Sequence, residues 1–219
     1  MVSEEYIDMN NAEKIAKESA ISFSGMGLGQ IFRYLFTTLL ARWAGVELLG
    51  IYSIANAVTR IFEVVGKLGL DQGVLRAVST AKNQADKQSV IFSALKMGLI
   101  SSMIFMLVQI VIADWLSTHI FHQTSLLTMV ITIHALSLPL YILIHISAFS
   151  TQAYKILKHK IFVSEIQNPL ILLLSMVVFY FSFSAESAIM LPVVISSVFG
   201  VITISISLRK VAEIGRAHV

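Results

Sequence analysis

The chain has 219 residues, of which 56% are hydrophobic and only 13% charged, and its mean hydropathy is +0.80; a soluble domain carries about 25% charged residues, so lipid rather than water is the solvent to expect. The net charge of +3 and the pI near 9.2 do not point to nucleic acid, because the basic residues are scattered in short loops and form no stripe with interleaved aromatics. The lack of cysteine excludes disulfides, thiolate metal sites and cysteine nucleophiles together.

Residues 1–19 are polar and mixed in charge. The apolar segment after them is too long for a signal peptide and lacks its small-residue cleavage pattern, so this stretch is expected to be a retained cytoplasmic lead-in. Six apolar segments of about 20 residues, the length that crosses a bilayer as a helix, then follow within residues 20–210: Ala20–Ala41, Leu48–Leu70, Ser89–Ala113, Leu126–Phe149, Ile161–Phe183 and Ala188–Leu208. A strand barrel would show alternating segments of about ten residues, and none is present. The predicted fold is therefore all-α: a polytopic six-transmembrane-helix bundle whose short connections make successive helices antiparallel neighbours.

The connections sort by charge. Lys14, Lys17, Arg76, Lys82, Lys87, Lys155, Lys158, Lys160, Arg209 and Lys210 fall on one side, and Arg42 is the single Lys or Arg on the other, with Asp114, His119, His122 and Glu186. Translocation penalises Lys and Arg in short loops, so the rich side is predicted to be cytoplasmic, facing anionic headgroups. Trp43, Trp115 and Phe121 end their spans on the far side, where amphipathic rings suit the interface.

In the first span Gly25, Gly27 and Gly29 precede Arg33. The fragment GMGLGQIF lacks the third glycine of a dinucleotide fingerprint and follows no strand. Gly25 and Gly29 read instead as a small-xxx-small pair for close helix contact. The second span carries a polar seam, Ser53, Asn56, Arg60, Glu63, Lys67 and Asp71, at helical spacings of three and four. A charge near the bilayer centre costs at least about 2.5–3.5 kcal/mol, so this seam should face the bundle interior. Two readings stay open: a packing seam neutralised by Arg60–Glu63 and Glu63–Lys67 pairs, or one wall of a hydrated cavity. Two bases against one acid, with Arg33 as a third base, favour a cationic cavity for an anionic headgroup, and Arg offers phosphate a planar fork.

His134, Ser137, Tyr141 and His145 share one face of the fourth span. The histidines lie about three turns apart, too far to hold one metal, so interhelical hydrogen bonding or cavity lining is the expectation for His134, Tyr141 and His145, ahead of a proton relay. Glu165 is expected to pair with Lys158 or Lys160 and to have no catalytic part, and Lys96 to snorkel to the interface. Pro139, Pro169 and Pro192 each remove a backbone donor and can kink a span. No metal and no cofactor is expected. The closing EIGRAHV, residues 213–219, can be encoded by the start of a common sequencing adapter, so the natural sequence is expected to continue differently beyond about Ala212.

The run Arg33 to Ser79, with the Leu-Leu-Ala-Arg end of span one, Gly45, Gly50-x-Tyr52, and Leu68-Gly69-Leu70-Asp71 followed by Arg76, resembles the N-terminal region of bacterial polysaccharide transporters. These are the O-antigen and lipid-linked oligosaccharide flippases of the multidrug/oligosaccharidyl-lipid/polysaccharide exporter superfamily. The resemblance implies a non-enzymatic transporter of two six-helix lobes in the bacterial cytoplasmic membrane, with a cytoplasmic N-terminus and a central cavity of alternating access. It implies as cargo a lipid-linked oligosaccharide, carried on undecaprenyl pyrophosphate, and as partners membrane lipids and a C-terminal lobe that this chain lacks. Arg33, Asn56, Arg60, Glu63 and Lys67 would line the cavity. Two rivals remain: a cation-coupled drug antiporter of the same superfamily, which favours acids in its cavity, and an integral-membrane enzyme of lipid-linked sugar metabolism, which needs a carboxylate metal site or positioned base that no loop supplies.

Overall fold

The computed structural model describes the backbone of residues 2–122, 125–154 and 157–217 and the side chains of 19–122, 125–154 and 158–210. The expectations for Lys14, Lys17, Lys155 and the side chains of 213–219 lie outside the described residues. Among those described, the chain is helical throughout: α1 (Val2–Trp43), α2 (Gly45–Gly66), α3 (Leu70–Thr80), α4 (Gln84–Trp115), α5 (Ser125–Ala135), α6 (Leu138–Ala153), α7 (Leu157–Ile161), α8 (Asn168–Ser182) and α9 (Ser187–Ala217). Two π-helical stretches complete the spans, Leu116–Ile120 after α4 and Phe162–Gln167 between α7 and α8.

Five continuous runs of described residues are long and apolar enough to cross a membrane: Gly45–Gly66, Gln84–Ile120, Ser125–Ala153, Lys158–Ser182 and Ser187–Lys210. The second half of α1 is the remaining long helix and is more polar, with Ser19, Ser22, Ser24, Gln30 and Arg33. The protein is thus an all-α, multi-pass membrane protein, and the count of six is five clear spans with α1 beside them.

The breaks follow the residues. Gly45 has φ +90°, a conformation that costs other residues dearly and glycine almost nothing, so α1 reverses into α2 within one residue. That end is tied to α8, where the Tyr180 hydroxyl donates to the Trp43 carbonyl at 2.8 Å and the two rings stack at 5.5 Å. The second span stops four residues short of its expected end, because Leu68 (φ +49°) and Gly69 (φ +72°) turn left-handed after Gly66. The Ser101 hydroxyl donates to the Gly66 carbonyl at 2.8 Å, satisfying a group freed by the break. The connection that follows is the amphipathic helix α3, with Val74 and Val78 buried one turn apart.

Pro139 divides the fourth span, since α5 ends at Ala135 and α6 starts with Pro139 in its first turn. Pro169 does the same at the head of α8, and the backbone before it is wound as a π-helix, the usual single-turn accommodation. Pro192 stays inside α9. The run through α5 and α6 has 61% of its most apolar stretch buried, against 44% or less for the other four, so it forms the bundle's centre. α6 serves two cores: Tyr141, Ile144 and Ala148 join the cluster around Phe36, Leu40 and Ile189, while Leu138, Ile142 and Ile146 join Val74, Val78 and Ile91. Small residues allow the approach, as at Gly200, where an added Cβ would meet Ile144 at 2.6 Å.

Candidate functional site

A partly open cavity of about 300 Å³ lies between α1, α2, α6, the second π segment with α8, and α9. Side chains of all these elements line it. From α1 come Arg33, Phe36 and Thr37; from α2, Tyr52, Asn56 and Arg60; from α6, Tyr141 and His145. The opposite wall is Ser164, Glu165 and Asn168, with Ser196 of α9 closing it.

Two ion-pair systems serve this cavity. Glu63, whose side chain is 3% exposed, receives Arg60 Nη1 at 2.8 Å on Oε2, and Lys67 Nζ at 3.2 Å and His145 Nε2 at 3.0 Å on Oε1. A carboxylate inside a bundle is tolerable only when its lone pairs are so occupied. Arg60 also lies 5.0 Å from the Tyr141 ring centre, an attractive cation–π arrangement, and its side chain remains 51% exposed. The second system is Arg33 Nη2 to Glu165 Oε2 at 3.1 Å, with side-chain exposures of 41% and 28%.

The second pair exists because of a close approach. An added Cβ on Gly29 would collide with the Glu165 carbonyl, and one on Gly25 with Ile161. α1 therefore lies directly against the π segment, as the Gly25/Gly29 spacing suggested, and Arg33, one turn beyond Gly29, reaches Glu165. This replaces the expected pairing of Glu165 with Lys158 or Lys160. Lys160 instead donates to Gln152 Oε1 at 2.8 Å and sits over the Phe149 ring at 3.7 Å.

Of the residues singled out in the sequence, Arg33, Asn56, Arg60, Tyr141 and His145 line the cavity together, and Glu63 stands behind Arg60 and His145. Lys67 does not line it. Lys67 still has helical φ and ψ and pairs with Glu63 one turn back, its side chain 15% exposed. Asp71 leaves the seam because the helix breaks at Leu68 and Gly69, and in the first turn of α3 its Oδ1 accepts the Gln72 N–H at 2.8 Å. His134 is fully buried elsewhere: its Nε2 meets the Ile189 carbonyl at 2.9 Å and its ring packs edge-on to Tyr52 at 5.6 Å. The break at Pro139 separates it from the face that carries Tyr141 and His145.

Sequence reasoning missed Glu165 as a member of the site, together with Tyr52, Ser164, Asn168 and Ser196. Glu165 lies 132 residues from Arg33, and nothing local signals the pairing. The excess of bases shrinks accordingly: Arg33, Arg60 and Lys67 face Glu63 and Glu165, a net of +1. Both arginines nonetheless line the void with side chains 41% and 51% exposed. Hydroxyl, amide and aromatic groups around them form the mixed polar and apolar lining of a small-ligand pocket, and the volume is near the lower end of that range.

The model of one family, polysaccharide biosynthesis protein, matches residues 15–215, from within α1 to within α9. The chain belongs to that family. It matches no curated protein and no solved structure. The family is generally of transporter type, which agrees with a chain of several membrane-spanning helices.

Proposed function

We propose that the chain is the N-terminal lobe of a flippase that moves lipid-linked oligosaccharide, carried on undecaprenyl pyrophosphate, from the inner to the outer leaflet of the bacterial cytoplasmic membrane by alternating access, with its N-terminus in the cytoplasm. The observation that carries this reading is one cavity bordered by two half-exposed arginines, Arg33 on α1 and Arg60 on α2, each held by a carboxylate on one side and open on the other. Guanidinium groups in that state can turn to phosphate oxygens without first being dragged from lipid, because the ion pairs hold them in place between loads. Tyr52, Tyr141, Asn56 and Asn168 offer sugar rings apolar faces and hydrogen-bond partners.

A cavity of about 300 Å³ is a wall for such a headgroup rather than its whole container, and a second lobe would supply the opposing wall. Rocking of two lobes about a midplane site is the general device for alternating access. Glu63 tunes Arg60 in this scheme, and Lys67 acts on the headgroup through Glu63 and not by contact.

The test is display of surface glycan by cells carrying the complete transporter with Arg33→Ala or Arg60→Ala. Both variants are expected to reach the membrane at normal levels and to abolish display. Normal display by both would remove these arginines, and the reading with them.

A further inference from the structure

A second hollow, separate from the cavity and sharing no residue with it, runs between α1 and the α7–π segment. It has a volume of about 780 Å³. Ile21, Gly25 and Leu28 give it one wall, from one face of α1 at helical spacing, and Ile161, Phe162 and Ile166 give the other. Phe162 and Ile21 are 50% and 42% exposed, so the groove opens outward to hydrocarbon. Lys158 and His159 also line it, and among the described residues no acidic side chain does.

The three consecutive bases of α7 are used differently. Lys160 is satisfied within the protein by Gln152 and Phe149. Lys158 is exposed and makes no ion pair among the described residues. Lys158 and His159 come first in the apolar run Lys158–Ser182, so in a bilayer they would lie at headgroup level, and the α1 wall from Ile21 to Leu28 covers about 10 Å along the helix. An apolar trough lined also by Lys158 and His159 matches a phosphate with acyl chains attached. Basic pockets between transmembrane helices take anionic headgroups for this reason.

We propose that this groove binds an anionic glycerophospholipid of the surrounding bilayer, its phosphate on Lys158 and His159 and its acyl chains along Ile21, Leu28, Phe162 and Ile166. The inference rests on the membrane-spanning fold and not on the flippase reading, so either can fail alone. A lipid seated there packs on the face of α1 that Gly25 brings against Ile161, next to the Gly29 contact that sets the Arg33–Glu165 pair, so its occupancy steadies that wall of the cavity.

The experiment measures lipid retained by the full chain in phosphatidylcholine nanodiscs containing a minor share of phosphatidylglycerol, by native mass spectrometry. Phosphatidylglycerol is expected to be retained in preference to phosphatidylcholine, about fivefold less by Lys158→Gln and less again when His159→Gln is added. Arg76→Gln with Lys82→Gln, bases of another connection, should change nothing. Leu28→Trp, or Ile21→Trp should the first fail to fold, fills the trough with every base intact and is expected to reduce retention as well. The proposal is overturned by equal retention of the two lipids, by retention indifferent to Lys158 and His159, or by tryptophan variants without effect, which would mean diffuse surface attraction. Displacement of phosphatidylglycerol by an equal amount of prenyl diphosphate would assign the groove to another lipid and overturn it too.

Discussion

The cluster on Glu63 and the pair of Arg33 with Glu165 border the same cavity, yet one is built from neighbours in sequence around a buried acid and the other joins residues 132 positions apart at a half-exposed contact. The first is redundant, with three donors on one carboxylate supplied by two helices. The second is a single link across two helices and survives only while α1 stays pressed to the π segment. Charge inside a bundle is thus made safe in two ways, by saturation or by proximity. Only proximity can be undone by a small relative movement of helices.

The largest expected effect comes from removing the saturated acid. Glu63→Ala leaves Arg60, Lys67 and His145 without their shared partner, and the loss should be about 3 kcal/mol, read as a fall in the thermal midpoint of the purified chain. Next is Gly29→Val, which sets a side chain against the Glu165 carbonyl. Overpacking of this kind costs about 1–3 kcal/mol, and it should also part α1 from the π segment. Because the chain has no cysteine, a Ser24→Cys, Ile166→Cys pair reports that parting directly as slower crosslinking in the Gly29→Val background.

Smaller effects test the asymmetry itself. Arg60→Ala leaves Glu63 with two donors, so stability should change by no more than about 1 kcal/mol although transport is lost. The double-mutant cycle of Arg33→Ala with Glu165→Gln should give the smallest coupling, about 0.5 kcal/mol and declining with added salt, as for other exposed pairs. A coupling above that of the Arg60–Glu63 cycle would reverse the assignment of which contact is firm and which is breakable.

The same asymmetry explains what could be read in the sequence. Runs of apolar residues gave the long helices because hydropathy over about 20 residues is a strong signal. The Arg60–Glu63–Lys67 grouping was visible because i, i+3 and i, i+4 neighbours meet on any helix. Glu165 was assigned the nearest lysines because separation along the chain was the only available measure of distance, and the glycine-mediated contact that defeats that measure is a tertiary fact. Asp71 and His134 were misplaced by breaks whose causes stood in the sequence, Gly69 and Pro139, but whose effect on facing depends on how the chain resumes. α3 went unread because eleven residues with two buried valines make a weak pattern beside spans twice as long.

The π segment Phe162–Gln167 holds Glu165 at the contact with α1. A π turn carries one residue more than the α turn it replaces, so rewinding it would swing its side chains by about 100°, one residue's step around the axis. Glu165 would then no longer face Arg33. Which side chain meets Arg33 is therefore fixed by how six residues are coiled as well as by how closely α1 approaches them.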